Sequence, residues 1–404
     1  MADNSSRASA GRRQAHGAGR DHRIDWLRGL ALVTIFINHM PFNRLGLLTT
    51  RNLGFSDASE LFALLAGVGA ALAFFPRFER GERMGVAVKA VRRAGVLYGA
   101  HLAATLAAVA LFCAAYWLIG EPRILDAIGV RQVLEQPMEA VRDLAIGNRQ
   151  LIYFNILPMY IVFMVMLPAL LWLAVRDLRL MLAASAALYL ASHLLPLDAP
   201  NYHTNSGWYF NPASWQLIYS VGLALGVLRL RGQTVPWHPL AGALAAAYAV
   251  FALVWVLGGM GERVSHDMLP EWIDGLTKGK LPLARLAHML ALAYLLVHSP
   301  LWTRLARLPA SNLLAAMGRN SLPVFVLGSL LSMAGWIVLA FAPRMLALEC
   351  VLTVAGVAAM AGLAAGLEAG MIGRLRGVAA RAVGNIGPTA WFGSKAPALR
   401  TGTA

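Results

Sequence analysis

The stretch Asp25-Trp26-Leu27-Arg28-Gly29-Leu30-Ala31-Leu32-Val33-Thr34-Ile35-Phe36-Ile37-Asn38-His39 decides how the chain is read. It is apolar enough to cross a bilayer as a helix, yet it carries an arginine and a histidine eleven residues apart. At about 100° per residue, eleven steps return to within about 20° of the start. Arg28 and His39 therefore share one face, roughly 16 Å apart along the axis and about half the hydrocarbon thickness. A charged arginine near the middle of a membrane helix costs about 2.5–3.5 kcal/mol on insertion scales, so such groups face a bundle interior or a wet cavity. The stripe presents a cation towards the N-terminal side and a titratable base near the far side. It reads as half of an active site that works across a bilayer.

The rest of the chain agrees with a membrane setting. Of 404 residues, 58% are hydrophobic and only 14% charged, far from a soluble domain. Apolar runs such as 102–119, 151–175, 240–257 and 345–367 are long enough to span as helices. Read end to end, the sequence predicts about ten spans, at roughly 24–41, 58–76, 94–120, 151–175, 180–196, 214–230, 239–260, 283–302, 321–342 and 345–370. No short apolar segment with a small-residue cleavage site opens the chain, so the first span is expected to remain. The expected fold is all-α, a polytopic helical bundle: a disordered basic tail over 1–22, a transmembrane domain over 23–372 and a second tail over 373–404.

The net charge of +15 is topological. If the spans alternate, most Lys and Arg residues share one side: the N-terminal tail, the loop from Arg77 to Arg93, and the tail from Arg374 to Arg400. The positive-inside rule makes that side cytoplasmic, with both termini on it. Nucleic acid is excluded as a partner, because no soluble basic surface with interleaved aromatics is present. Cys113 and Cys350 lie in apolar spans without metal-ligand or disulfide spacing and read as packing residues, and no metal is expected.

Four longer segments fall on the other side, at about 42–57, 121–150, 197–213 and 261–282. In the third, Asn201, Trp208, Tyr209 and Asn211 combine hydrogen-bonding groups with aromatic rings, as a sugar-binding surface does; an interfacial aromatic belt has the same composition. The mixed charges of 121–150 predict a short amphipathic surface helix. Asp57 and Glu60, three apart at the start of the second span, begin on the side where His39 ends. One of them could orient the imidazole and raise its basicity, or both could complement a helix N-terminus. Arg285 and His288 open the eighth span from the same side, where a snorkelling arginine is the plainer alternative.

These residues resemble the OpgC family, membrane acyltransferases that succinylate osmoregulated periplasmic glucans. The likeness is carried by 25–32 with Ile37-Asn38-His39, by Gly54-Phe55-Ser56-Asp57-Ala58-Ser59-Glu60-Leu61-Phe62, and by 151–160. Phe210-Asn211-Pro212-Ala213-Ser214-Trp215-Gln216-Leu217, 283–288 and Gly318-Arg319-Asn320-Ser321-Leu322-Pro323-Val324-Phe325 complete it, in consistent order over about 24–342. The first-helix pattern is also similar to the wider acyltransferase-3 superfamily, in which an Arg or Lys is followed after ten residues by His. That superfamily's Ser-Gly-Phe on the second helix reads here as Ala66-Gly67-Val68, so no role for its serine carries over.

The resemblance implies an acyl-CoA co-substrate, succinyl-CoA first among them, on the cytoplasmic side, and a periplasmic glucan acceptor. The bacterial inner membrane is the implied location, and no bound cofactor is expected. Arg28, Arg92, Arg93, Arg285 and His288 are then donor-side candidates, and Arg92 and Arg93 sit in a basic loop suited to CoA phosphates. His39 is the expected general base, with Asp57 or Glu60 holding its ring. A succinyl donor also needs a cation for its free carboxylate, for which Arg44, Arg51 and Arg285 are available. The competing readings are transfer of another acyl group to another envelope glycan, and a sugar or anion transporter. The weak similarity between the two halves disfavours the transporter.

Overall fold

A computed structural model describes residues 21–151, 153–198, 207–260, 278–309 and 311–370. Both predicted tails and Asn201 lie outside the described residues. Ten long helices follow in order: α1 His22–Asn38, α2 Ala58–Glu79, α3 Arg83–Ile119, α4 Ile156–Arg176, α5 Leu178–Leu194, α6 Pro212–Leu230, α7 Pro239–Leu257, α8 Leu283–His298, α9 Ser321–Phe341 and α10 Leu346–Glu368. No strand occurs among the described residues. Each predicted span coincides with one of these helices. Seven are long and apolar enough to cross a membrane by themselves. An eighth crossing arises if α8 is joined to the helix Pro300–Ala306, from which it is bent by 68°. At 17, 17 and 16 residues, α1, α5 and α8 are shorter than these seven.

Local chemistry sets the ends. Asp21 caps α1 by accepting from the Arg23 N–H, and Asp57 and Glu60 form a reciprocal capping box at the start of α2. Asp177, extended between α4 and α5, caps α5 by accepting from the Arg179 N–H. The region 121–150 folds into the short helices Arg123–Asp126, Val130–Glu135 and Pro137–Ala145. The last of these is amphipathic, burying Ala140 and Asp143 and exposing Met138 and Val141.

The bundle packs around α2 and α6. A side chain on Gly67 would strike the Tyr219 carbonyl, and one on Gly222 would strike the Leu64 carbonyl. Glycine at both positions lets the backbones touch, the usual means of helix association where lipid removes the hydrophobic drive. Around this seam Phe36, Phe75, Phe163, Trp215 and Tyr219 form a fully buried core. In contrast α7 and α10 keep only 17% and 22% of their most apolar windows inside the protein, so they form the rim.

Candidate active site

At the end of the bundle opposite the start of α1, α2 and α8 meet through charge. Arg285 on α8 is 6% exposed and Glu60 on α2 is fully buried. The Arg285 Nε donates to Glu60 Oε1 at 2.6 Å, and its Nη2 lies 3.5 Å from Asp57 Oδ2. Lys278, in the turn before α8, donates to the same Asp57 oxygen. The second Glu60 oxygen accepts the Asp57 N–H at 2.8 Å. Burial pushes the Asp57 carboxyl up, but the Lys278 and Arg285 cations, with hydrogen bonds from Lys278 and Ser59, reverse this and hold it well below the usual carboxylate range. Two carboxylates and two cations thus close a neutral cluster where α2 begins.

The sequence left open whether Asp57 and Glu60 cap a helix or orient His39. They cap α2 and in addition hold α8. Among the described residues neither carboxylate hydrogen-bonds the imidazole, because their acceptor sites already serve Arg285, Lys278, Ser59 and the backbone. Arg285 neither snorkels nor stands ready for a donor; it is a buried counter-ion. Arg44 is likewise engaged, bound through Nε and Nη2 to the buried Glu349.

His39 ends α1 as its C-cap. Its ring stacks on Tyr153, with centroids 4.1 Å apart and planes inclined by 21°. Tyr153 holds φ of 77°, a conformation that costs a non-glycine residue energy and is common at functional sites. The buried His39 Nδ1 has no hydrogen-bond partner among the described residues. Asp57, Lys278 and Arg51 are near enough to act electrostatically on the ring. Arg28, one face with His39 as the helical period requires, turns inward: its Nη2 donates to the Leu65 carbonyl at 2.7 Å. It passes over Gly69, where any side chain would meet the guanidinium.

A cavity of about 1040 Å³ runs between α1, α2 and α8. Asp21, Arg229, Trp237 and Trp302 line it at the end where α1 starts, and Thr50, Ser56 and Asp57 at the other. Between these ends its wall is aliphatic, including Leu27, Ala31, Leu61 and Leu65. Neither Arg28 nor His39 is among its lining residues, so the predicted single path joining them is not this one. The cavity uses the Leu27–Ala31–Thr34 face of α1, beside the Arg28–His39 face. Where α2 gives way to α3, Arg77, Lys89 and Arg92 converge with Glu82 on a smaller cavity of about 270 Å³. Arg93 lies outside its lining, exposed on α3.

His288 lies behind Ser56, which lines the first cavity's far end, and is not itself among the lining residues. Its Nδ1 accepts the Ser56 N–H at 3.1 Å and lies 2.7 Å from Ser56 Oγ. Both residues are 2% exposed. The ring can approach this closely because position 54 is glycine; a side chain there would overlap the imidazole. Of the sugar-side candidates, Tyr209 is exposed and Trp208 packs over Gly147. Asn211 is not open to a sugar: its Oδ1 caps α6, and its Nδ2 donates to the Leu197 carbonyl and to Asp198. Beside it, burial pushes the Asp198 carboxyl up, against the opposing pull of Lys280. Sequence reasoning missed Lys278, Tyr153 and the Ser56–His288 pair. Tyr153 and Ser56 fell inside segments that carried the family likeness and His288 was a donor-side candidate, but nothing in the sequence paired Ser56 with His288 or marked Lys278.

The charge cluster, the His39 ring and the long cavity all lie within one apolar helical bundle. Neither a curated protein nor a solved structure matches the chain. A family model described as OpgC protein matches residues 20–371. That span takes in every helix above, and the chain accordingly belongs to the OpgC family of membrane acyltransferases.

Proposed function

We propose that this protein moves an acyl group, succinyl first among the candidates, from cytoplasmic acyl-CoA to a hydroxyl of a periplasmic glucan across the bacterial inner membrane. In this reading ten helices cross the bilayer, and both tails lie in the cytoplasm. CoA phosphates meet Arg77, Lys89 and Arg92 or the Arg229 end of the long cavity. The thioester end follows the aliphatic wall inward. From Ile24 to Thr34 on α1, ten residues at 1.5 Å each give a path of about 15 Å, comparable to an extended pantetheine arm. The apolar wall keeps water from the activated carbonyl.

His39 removes the proton from the glucan hydroxyl, and the resulting alkoxide attacks the acyl carbonyl. The observation that carries this role is the buried His39 Nδ1 without a partner, stacked on Tyr153 at the end opposite the basic loops. Base assistance of this kind is worth about 10²–10⁴-fold in rate. The purified full chain in proteoliposomes, given labelled succinyl-CoA and glucan, is expected to consume thioester and label the glucan. His39→Ala is expected to insert normally and lose transfer by that factor. Substantial transfer by His39→Ala overturns the base assignment. Passage of substrate across the bilayer without thioester cleavage overturns the enzyme reading in favour of a transporter.

A further inference from the structure

We propose that Ser56 is a second catalytic residue, a nucleophile that takes the acyl group from CoA and holds it as an ester, with His288 as its base. This rests on the acyl-transfer reading above and adds a step to it. Three features meet at Ser56. Its residue lines the far end of the long cavity, where a thioester entering from the end where α1 starts would stop. Its Oγ lies 2.7 Å from the His288 Nδ1, within reach for proton transfer. The Ser56 N–H also points at that Nδ1 at 3.1 Å. A backbone N–H can only donate, so Nδ1 carries the lone pair and the ring proton is on Nε2. The hydroxyl therefore faces the basic nitrogen and not the protonated one.

The relay also answers a geometric difficulty. The cavity touches Ser56 and Asp57 but not His39, which lies on the neighbouring face of α1. A donor confined to the cavity meets Ser56 first. In the first step Ser56 Oγ attacks the thioester carbonyl carbon, and its proton passes to His288 Nδ1, which gives up the hydrogen bond it accepted from the Ser56 N–H. The tetrahedral intermediate collapses with cleavage of the C–S bond, and the thiolate takes the proton from His288 to leave as CoA thiol. In the second step the glucan hydroxyl gives its proton to His39 and attacks the Ser56 ester carbonyl. The C–O bond to Ser56 breaks, and the proton held on His39 restores the serine hydroxyl. Acyl-CoA and alcohol become ester and thiol, with nothing oxidised or reduced.

The test is to incubate the full chain with radiolabelled succinyl-CoA in the absence of glucan, quench in acid, and map covalent label by peptide mass spectrometry. Wild type is expected to carry label on the peptide containing Ser56. His39→Ala is expected to accumulate it, because only the second step is blocked. Ser56→Ala keeps the N–H that His288 accepts, so the local fold is retained, and label is expected to fall to background. His288→Gln is expected to slow labelling by about 10²-fold. Ser56→Cys should carry the label as a thioester, cleaved by neutral hydroxylamine, which covers the case in which Ser56→Ala fails to fold. Label on His39, or wild-type glucan transfer by Ser56→Ala, overturns the relay and leaves the acyltransferase reading intact. If wild type consumes no thioester even with glucan present, the broader reading falls and the relay with it.

Discussion

Replacing Arg285 with methionine tests whether the charge cluster is a clamp. Methionine keeps much of the side-chain volume but removes the cation. Glu60 then loses its 2.6 Å partner while remaining fully buried, and Asp57 loses a guanidinium at 3.5 Å. Removing one partner of a buried ion pair costs about 3–5 kcal/mol, because the other charge stays uncompensated. At 1.4 kcal/mol per tenfold this is a fall of between about 10² and 10⁴ in the folding equilibrium. The assay is reversible unfolding in mixed micelles by SDS titration, followed by tryptophan fluorescence. The double variant Arg285→Met with Glu60→Gln removes both charges and keeps an acceptor for the Asp57 N–H. It should recover part of the loss, a coupling of about 0.5–3 kcal/mol. Arg123, whose pair with Glu121 sits on the surface with the arginine side chain 81% exposed, serves as control, and its loss should leave unfolding unchanged. An Arg285→Met protein within about 0.5 kcal/mol of wild type would refute the clamp and mean that water solvates the cluster.

Asp21→Ala removes the α1 cap and should cost about 0.5–2 kcal/mol at neutral pH. Burial raises the Asp21 carboxyl, but hydrogen bonds from Arg23 and the charge of Arg229 bring it below its ordinary value of 3.8. Its contribution is therefore present above that value and lost as pH falls through the folded-state value, so the gap in melting temperature between wild type and variant should close on acidification. Gly69→Ala should leave stability nearly unchanged, because the atom it displaces is the flexible end of Arg28. If Arg28 is a donor-side residue, Gly69→Ala and Arg28→Ala are both expected to impair thioester consumption; full activity in both variants would remove Arg28 from the donor-side candidates.

The helices and their order were legible because lipid asks the same of every crossing, about 20 apolar residues with each backbone group paired internally. Seven helices, or eight crossings with the bent pair, meet that length against the ten spans expected. The inward turn of Arg28 was legible for the same reason, since exposing it to lipid costs too much. The pairing of Asp57 and Glu60 with Lys278 and Arg285 was not. Its partners are separated by more than two hundred positions, and periodicity within one helix carries no information about which helix faces it. Asn211 misled for a local reason: an asparagine before proline at a helix start serves as a cap as readily as it binds a sugar, and here capping won. Tyr153 gave no signal, because its left-handed backbone follows from how the segment before α4 is folded rather than from its own residue type.

The two faces of α1 divide the work that a single passage was expected to do. Leu27, Ala31 and Thr34 give the cavity an apolar wall, which suits a thioester arm and repels water. Arg28 and His39 lie on the other face, where polar groups need partners and find a backbone carbonyl and a tyrosine ring. A continuous wet channel joining both would admit water to an activated acyl group and let ions leak through the bilayer. Separating the faces avoids both, but only if something at the far end passes the acyl group between them. Asp57, held between Lys278 and Arg285 and next in sequence to Ser56, stands at that crossing. Its fixed charge keeps the turn from 54 to 57 in place, so the position of Ser56 depends on the same ion pairs that close α2 onto α8.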